Sequence, residues 1–348
     1  MRRVGLALIL AVVAMANSGG AYAAPKWAIV AHGGAGVIER GDLTPQQEAA
    51  YRAAMARATE AGARLLADGG SALDAVEAAV HVLEDDPLFN AGRGSVFTAE
   101  GRNEMDAAIM DGASLKAGAV AGVTRTRHPV SLARAVMERS PHVMLQGEGA
   151  DAFSEAMGLE QVDPAWLFSA RRWRSLEKAL GAQRLPIPVP PAGAGGPQPG
   201  EELVHDEGKH GTVGVVALDV RGDVAAGTST GGVTAKRWGR VGDSPIIGAG
   251  TYASNASCAV SATGTGEYFI RLTVARDICA LVELKGMSLQ AAADQVVQRE
   301  LTALGGDGGV IAVAPDGQVA WSFNTSGMYR AVAAEGRPLT VGIYKDEP

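Results

Sequence analysis

At Gly211-Thr212 a threonine directly follows a glycine and opens a β-type apolar run, Val213-Gly214-Val215-Val216-Ala217-Leu218-Asp219. A threonine with a free α-amine is a self-contained nucleophile and base, because its own amine can take the hydroxyl proton. Thr212 gains that amine only if the chain is cut before it. The stretch upstream suits a cut. Residues 186–210 carry Pro186, Pro188, Pro190, Pro191, Pro197 and Pro199, many glycines, and a charged tail that ends in Lys209-His210. A connection this long with no pattern of its own is usually functional or disordered. The bland reading is an ordinary linker that runs into a strand.

A threonine nucleophile needs three kinds of help, and glycine-flanked polar clusters downstream offer each. Thr230, in Thr228-Ser229-Thr230-Gly231-Gly232, can orient the hydroxyl. The Thr263 hydroxyl and the Gly264 backbone N–H can donate to a developing oxyanion. Arg240 can grip a carboxylate with two parallel bonds, and Asp243, three residues on, can hold an ammonium. Together the last two describe a pocket for an amino acid's α-groups. An unperturbed α-amine titrates near ~7.7–8.0, so a modest downward shift makes it a useful base at neutral pH. Singly, each cluster reads equally well as a turn, a surface ion pair or a helix entry.

The elements that must position these residues follow from pattern. Residues 26–31 read as a buried strand ending in His32-Gly33-Gly34-Ala35-Gly36. Neither nucleotide-loop glycine pattern occurs there, and His32 at the strand end reads as structural rather than catalytic. Thr44, Pro45 and Gln47 form a helix start with a capping box, and that helix runs through Leu66. Ser71 caps a second helix, with Leu73, Val76, Val80 and Leu83 on one face. Residues 83–96 form a loop too apolar to be a solvated turn. Strands are expected at 105–112 and 116–123, and helices at 129–139, 148–157 and 170–181. Beyond Thr212 the pattern turns to hairpins: 213–220 with 224–230, a strand at 259–262, and a last hairpin turning at Asp316-Gly317. One helix is expected over 267–284 and another, capped by Ser288, to about Leu304. Strands in runs, with helices grouped before and after, indicate two sheets between helical layers.

Composition narrows the class. The chain has 348 residues, 47% of them apolar, with net charge −7. A large core is possible without staples, and no basic stripe suggests nucleic acid. Residues 1–23 read as a secretory signal: Arg2-Arg3, an apolar run over 4–16, and the small-x-small site Ala21-Tyr22-Ala23. The run falls short of the ~20 residues of a membrane span. A periplasmic or secreted protein is expected. The two cysteines, Cys258 and Cys279, could pair in such a compartment, but their apolar settings read as small buried thiols.

Seven motifs, in order through residues 26–345, carry a resemblance: His32-Gly33-Gly34-Ala35-Gly36, Asn90-Ala91-Gly92, Met105-Asp106-Ala107, Gly211-Thr212-Val213-Gly214, Thr228-Ser229-Thr230-Gly231-Gly232, Gly239-Arg240-Val241-Gly242-Asp243-Ser244-Pro245 and Thr263-Gly264-Thr265-Gly266-Glu267. The chain resembles the plant-type L-asparaginases, or isoaspartyl (β-aspartyl) peptidases, of the N-terminal-nucleophile hydrolases. The resemblance implies an α+β fold, a four-layer αββα sandwich. It implies self-cleavage between Gly211 and Thr212 into an α-chain (24–211, with a flexible linker at about 186–210) and a β-chain (212–348). The two halves would form one domain and assemble as (αβ)2. Carried over by motif, Thr212 is the nucleophile, Thr230 its orienting neighbour, and Thr263 with Gly264 the oxyanion hole. Arg240, Asp243 and the Gly266 carbonyl hold the substrate's α-groups. The carbonyls of Leu83, Glu84, Asp86, Phe89, Ala91 and Arg93 match a loop that binds a structural Na+ or K+. No organic cofactor, nucleic acid or membrane partner is implied. The expected substrates are β-aspartyl dipeptides and L-asparagine. Glycosylasparaginases, the nearest alternative, usually carry Asn-Gly where this chain has Gly231-Gly232, and Asp-Thr-Ile-Gly for Gly211-Thr212-Val213-Gly214. An alternative of another class is an exported amino-acid-binding protein that uses Arg240 and Asp243 without turnover.

Overall fold

The computed structural model describes residues 26–195 and 211–347. The expected signal peptide (1–23) and the 196–210 part of the linker lie outside the described residues.

The chain begins with β1 (Ala28–Gly36) and two long helices, α1 (Pro45–Ala67) and α2 (Ala72–Asp85). The capping box forms as expected: the Gln47 N–H donates to Thr44 Oγ1 at 3.2 Å, and the Thr44 N–H donates to Gln47 Oε1 at 2.9 Å. Ser71 caps α2 through the Asp74 N–H. Next come β2 (Met105–Asp111), β3 (Ala117–Val123), α3 (Pro129–Arg139), β4 (Met144–Gln146), α4 (Gly147–Ala156), α5 (Pro164–Leu167) and α6 (Ala170–Gln183). Beyond Thr212 lie β5 (Val213–Leu218), β6 (Val224–Thr230), β7 (Thr251–Ala253) and β8 (Ala259–Gly264). The helices α7 (Gly266–Leu272), α8 (Val274–Lys285) and α9 (Leu289–Asp294) follow; α9 continues through a π-helical stretch (Gln295–Leu301) into α10 (Thr302–Leu304). The strands β9 (Gly308–Val313), β10 (Val319–Phe323), β11 (Gly327–Ala334) and β12 (Arg337–Tyr344) complete the chain.

The strands form two sheets, ordered β12-β11-β1-β5-β6-β2-β3-β4 and β10-β9-β8-β7. β5 explains the layering. Successive side chains on a strand point to opposite faces. Val213, Val215 and Ala217 pack with Val76, Val80 and Met55 of the helices, while Val216 and Leu218 pack with Ala259, Ile311 and Val313 of the second sheet. β5 is apolar throughout because both of its faces are buried. The outer face of the small sheet is covered by Ile278, Cys279, Ala292 and Val296 of the later helices. The result is helices, sheet, sheet, helices: the α+β, αββα sandwich.

Three expectations change. The helix expected over 267–284 is two helices, because Thr273 takes a left-handed conformation (φ 49°). The cause is tertiary: the freed N–H groups of Ala275 and Arg276 donate to the carbonyls of Ala249 and Gly248. The β11–β12 hairpin and the short strands β4 and β7 were not anticipated from pattern. The reading of free thiols is overturned: Cys258 and Cys279 form a disulfide, with Cα atoms 5.4 Å apart. Cys258 immediately precedes β8, and α8 lays Cys279 against that strand, so tertiary packing brings together two residues whose spacing carried no pairing signal.

Candidate active site

Thr212 sits at the N-terminal edge of β5, in the middle of the large sheet, and is only 8% exposed. β5 pairs antiparallel with β6, Val213 opposite Ser229, which brings Thr212 beside Thr230. Thr212 Oγ1 donates to Thr230 Oγ1 at 3.0 Å, and the Gly232 N–H donates to the same oxygen at 3.0 Å. With two donors on it, the Thr230 oxygen fixes the rotamer of the Thr212 hydroxyl.

Asn90 holds both flanks of this arrangement. Its backbone N–H donates to the Gly211 carbonyl, and its carbonyl accepts from the Gly231 N–H. Its side chain donates through Nδ2 to the Gly232 carbonyl at 2.7 Å and accepts at Oδ1 from the Val96 N–H at 2.9 Å. Sequence reasoning placed Asn90 in a motif but assigned it no role. A conformationally constrained Asn-Ala-Gly after a helix was the available signal.

The second sheet supplies the opposite wall. Thr263 and Gly264 end β8, and Thr263 Oγ1 is buried with no hydrogen-bond partner among the described residues. A side chain at Gly264 would run into the Asp307 carbonyl and the Phe269 ring, with a Cβ only 2.4 and 2.5 Å from them. Arg240, Asp243 and Gly266 meet beside it: a Cβ on Gly266 would lie 2.9 Å from Asp243 Oδ1 and 3.1 Å from an Arg240 guanidinium nitrogen. Thr212, Thr230, Gly232, Arg240, Asp243 and Gly264 line one narrow cleft at the seam of the two sheets. In a wider cavity near Arg102, Glu104 and Asp151, Asp151 accepts from Thr124 Oγ1 and Glu104 pairs with Arg102.

Electrostatics separate the two charged residues of the cleft. Arg240 forms a two-bond ion pair with Glu267, 3.0 Å through both Nε and Nη2, on a partly solvated rim. Glu267 was quoted in a motif but given no role. Asp243 is buried, and Oδ2 has no hydrogen-bond partner among the described residues. Burial pushes its carboxyl up to about 7, against the pull of Arg240. A cation placed at that oxygen would find an acceptor ready for it.

Beneath the cleft a buried polar cluster ties the sheets together. Thr251 Oγ1 donates to Thr228 Oγ1, which meets Ser261 Oγ at 2.7 Å, and Ser261 Oγ meets His32 Nε2 at 3.0 Å. Burial lowers the His32 imidazole to about 3, so it is neutral at physiological pH. Its place between sheets matches the structural reading. A side chain on Gly214 would collide with this cluster, with a Cβ 1.9 Å from Ser261 Oγ and 2.4 Å from His32 Nε2.

The loop after α2 lies against the same strands. Leu83 and Glu84 lie in the last turn of α2, so the loop expected over 83–96 begins only after Asp85; Asp86, Phe89, Ala91 and Arg93 fall on the chain that follows, around a 3-10 helix (Gly92–Gly94). A Cβ on Gly92 would sit 2.2 Å from the Glu84 carbonyl, and one on Gly94 1.9 Å from the Phe89 carbonyl, so both oxygens face the loop interior. The Asp86 and Ala91 carbonyls also accept from Phe89 and Gly94 N–H groups. The Arg93 guanidinium turns away, towards the Trp166 ring. The Glu84 carboxyl accepts from Ser229 Oγ at 2.6 Å and the Val130 N–H at 3.1 Å, and burial pushes it up to about 8. Among the described residues no group of three or more His, Cys, Asp or Glu could hold a metal. Inward-facing neutral carbonyls are a donor set that fits a hard, singly charged cation.

The asparaginase family model matches residues 25–343. The chain is 51% identical to an isoaspartyl peptidase of Escherichia coli (strain K12), over 92% of this chain and 97% of that protein. It is 44% identical to a plant-type L-asparaginase of Pyrococcus abyssi, over 89% of this chain and 97% of that protein. A Mus musculus isoaspartyl peptidase/L-asparaginase is 42% identical, over 90% of each chain. With a threonine pair at the seam of an αββα sandwich and a match along nearly its whole length, the chain belongs to the asparaginase family.

Proposed function

We infer that this protein is a self-cleaving threonine amidohydrolase that releases L-aspartate from β-aspartyl dipeptides and L-asparagine. The observation that carries the reading is the Thr212–Thr230 hydroxyl pair, 3.0 Å apart, in a cleft that also holds Arg240 and Asp243. Self-cleavage comes first. Thr212 Oγ1 attacks the Gly211 carbonyl, whose oxygen already accepts from the Asn90 N–H. The C–N bond breaks as the hydroxyl proton passes to the Thr212 nitrogen, water hydrolyses the resulting ester, and Thr212 is left with a free α-amine. In turnover, Arg240 takes the substrate's α-carboxylate and Asp243 its ammonium, with the Gly266 carbonyl beside them. Thr212 Oγ1 attacks the β-carbonyl while the Thr212 amine takes the proton. Thr263 Oγ1 and the Gly264 N–H donate to the oxyanion. The amine returns the proton to the leaving nitrogen, the C–N bond breaks, and water then frees aspartate from the acyl-enzyme. Gly231-Gly232 and Gly211-Thr212-Val213-Gly214 favour this reading over glycosylated substrates, and the Thr212–Thr230 hydroxyl pair favours turnover over binding alone.

Three further features belong to the same proposal. The carbonyls of Leu83, Glu84, Asp86, Phe89, Ala91 and Arg93 would hold a Na+ or K+ that stiffens the loop carrying Asn90. The processed chains assemble as (αβ)2. The signal-like residues 1–23 and the Cys258–Cys279 disulfide suit an exported, periplasmic or secreted, protein. The decisive experiment pairs a denaturing gel with aspartate release. Wild type should give fragments starting near residue 24 and at residue 212, and turn over L-asparagine. Thr212→Ala should stay uncut and inactive, and Thr212→Ser should retain some of both. Cleavage in the alanine variant would exclude Thr212 as the nucleophile.

A further inference from the structure

The loop that carries Asn90 is held from outside by a buried cation that the mechanism above does not use. Arg172, in the first turn of α6, is only 6% exposed. Its Nε donates to the Gly94 carbonyl at 3.0 Å, and its Nη2 reaches the Leu88 carbonyl at 3.4 Å. The two acceptors bracket Asn90, one on each limb of the loop. Tyr51 Oη donates to the same Leu88 carbonyl at 3.2 Å. The start of α6 is set for this contact. Ser169 caps the helix by accepting from the Arg172 N–H. Trp173 stands edge-on to Phe97, ring centres 5.1 Å apart, in a cluster with Phe168 and Leu176. Phe97 lies just past the loop, so this packing brings the neighbouring Arg172 against both limbs.

Both acceptors of the guanidinium are neutral carbonyls. A buried charge carries a desolvation cost that an apolar side chain of similar size would not. What the charge gives in return is geometry: a planar fork can hold two carbonyls at once, through bonds stronger than those of a neutral donor. We propose that Arg172 is a positioning residue for self-cleavage, which ties Leu88 to Gly94 and so sets the Asn90 N–H against the Gly211 carbonyl that Thr212 attacks. That Asn90–Gly211 bond is 3.2 Å long, at the upper end of the ordinary range, so a loop displaced by ~0.5 Å would lose it.

This inference rests on the self-cleavage assigned to Thr212, and its test reads that step. Freshly purified full-length protein is followed on a denaturing gel for the fragment that begins at residue 212. Arg172→Met keeps much of the side chain's length without its charge or donors. It should cut at least about tenfold more slowly, since loss of one donor to a developing oxyanion costs roughly 100- to 1,000-fold. Arg172→Lys keeps the charge and can reach one carbonyl, so its rate should fall between the two. A second reading separates positioning from general loosening. In uncut Thr212→Ala protein, adding Arg172→Met should raise amide hydrogen exchange in residues 86–96 and leave the small sheet as protected as before. Exchange that rises across both sheets, or that does not rise in 86–96, overturns the proposal. If the methionine variant fails to fold, Arg172→Lys decides by the same two readings. A wild type that never yields the fragment at residue 212 rejects the proposed function together with this inference. A wild type that cuts, with Arg172→Met cutting equally fast, rejects this inference alone.

Discussion

Arg240 and Asp243 illustrate how two opposite charges in one cleft serve different needs. Arg240 stays on the rim with Glu267 as its partner, so in the proposed clamp an incoming α-carboxylate would compete with that carboxylate. Only a planar fork can form two bonds at once, and a lysine in its place keeps the charge without the geometry. Arg240→Lys should lose at least about tenfold in kcat/KM for L-asparagine, about 1.4 kcal/mol, and still cut itself, since self-cleavage uses no free carboxylate. An uncut Arg240→Lys protein would make Arg240 structural. Asp243 is a different case. Its folded carboxyl lies near 7, above its ordinary value, so the folded state binds a proton that the unfolded chain has released between roughly pH 4 and 7. Folding stability therefore falls as pH rises through that window, while ligand binding rises as the carboxylate forms. Asp243→Asn should abolish turnover of L-asparagine yet raise the melting temperature at pH 8 by about 2 °C or more, because an unpaired buried charge is removed. A lowered melting temperature at pH 8 would contradict the burial argument.

At the scale of elements, the last turn of α2 and the loop of residues 86–96 after it reach three parts of the site. Asn90 clips Gly211, Gly231 and Gly232 from the loop, and Glu84 reaches Ser229 on β6. Carbonyls turned inward in an apolar loop are costly unless a cation or donor meets them. Stripping Na+ and K+ from the already cut enzyme should thus lower kcat, with recovery on adding either ion back. Displacement of the nucleophile by ~1 Å can cost about 100-fold. Unchanged activity and melting temperature in alkali-free buffer would remove the ion from the proposal. Much of this scale was legible. The capping box at Thr44, the Ser71 cap and the boundaries of α3 and α6 follow from local chemistry that each segment carries within itself. The break at Thr273 was not, because the carbonyls of Gly248 and Ala249 that permit it come from elsewhere in the chain.

For the whole molecule, the large sheet interleaves both sides of the expected cut. β1 from the first half sits between β11 and β5 from the second, and β6 pairs with β2. The core between sheet and helices likewise mixes residues from both halves. Cutting before Thr212 therefore frees no separable domain. Processed protein should run as two fragments on a denaturing gel and as one cooperative species in thermal unfolding. Two independent unfolding transitions would refute a shared core. Neither the order β11-β1-β5-β6-β2 nor the Cys258–Cys279 bond was legible, since both depend on partners far apart in the chain.

The sequence by itself determined which groups were candidates for the chemistry: a glycine-threonine junction before a two-faced apolar strand, an arginine and an aspartate three apart, and threonine-glycine pairs at strand ends. Singly each of these local facts reads equally well as a turn or a surface pair, and it is the family resemblance carried by seven motifs in order that joins them into a nucleophile, an oxyanion site and a zwitterion clamp. The tertiary structure alone decided how the groups meet. Thr212 and Thr230 come from the large sheet, Thr263 and Gly264 from the small one, and the cleft exists only where the two sheets pack. It also placed groups that pattern left without a role, Asn90 and Glu267, in contact with that cleft. Burial did the rest. Enclosure between the two sheets is what raises Asp243 to about 7, and no spacing along the chain encodes a loss of solvent.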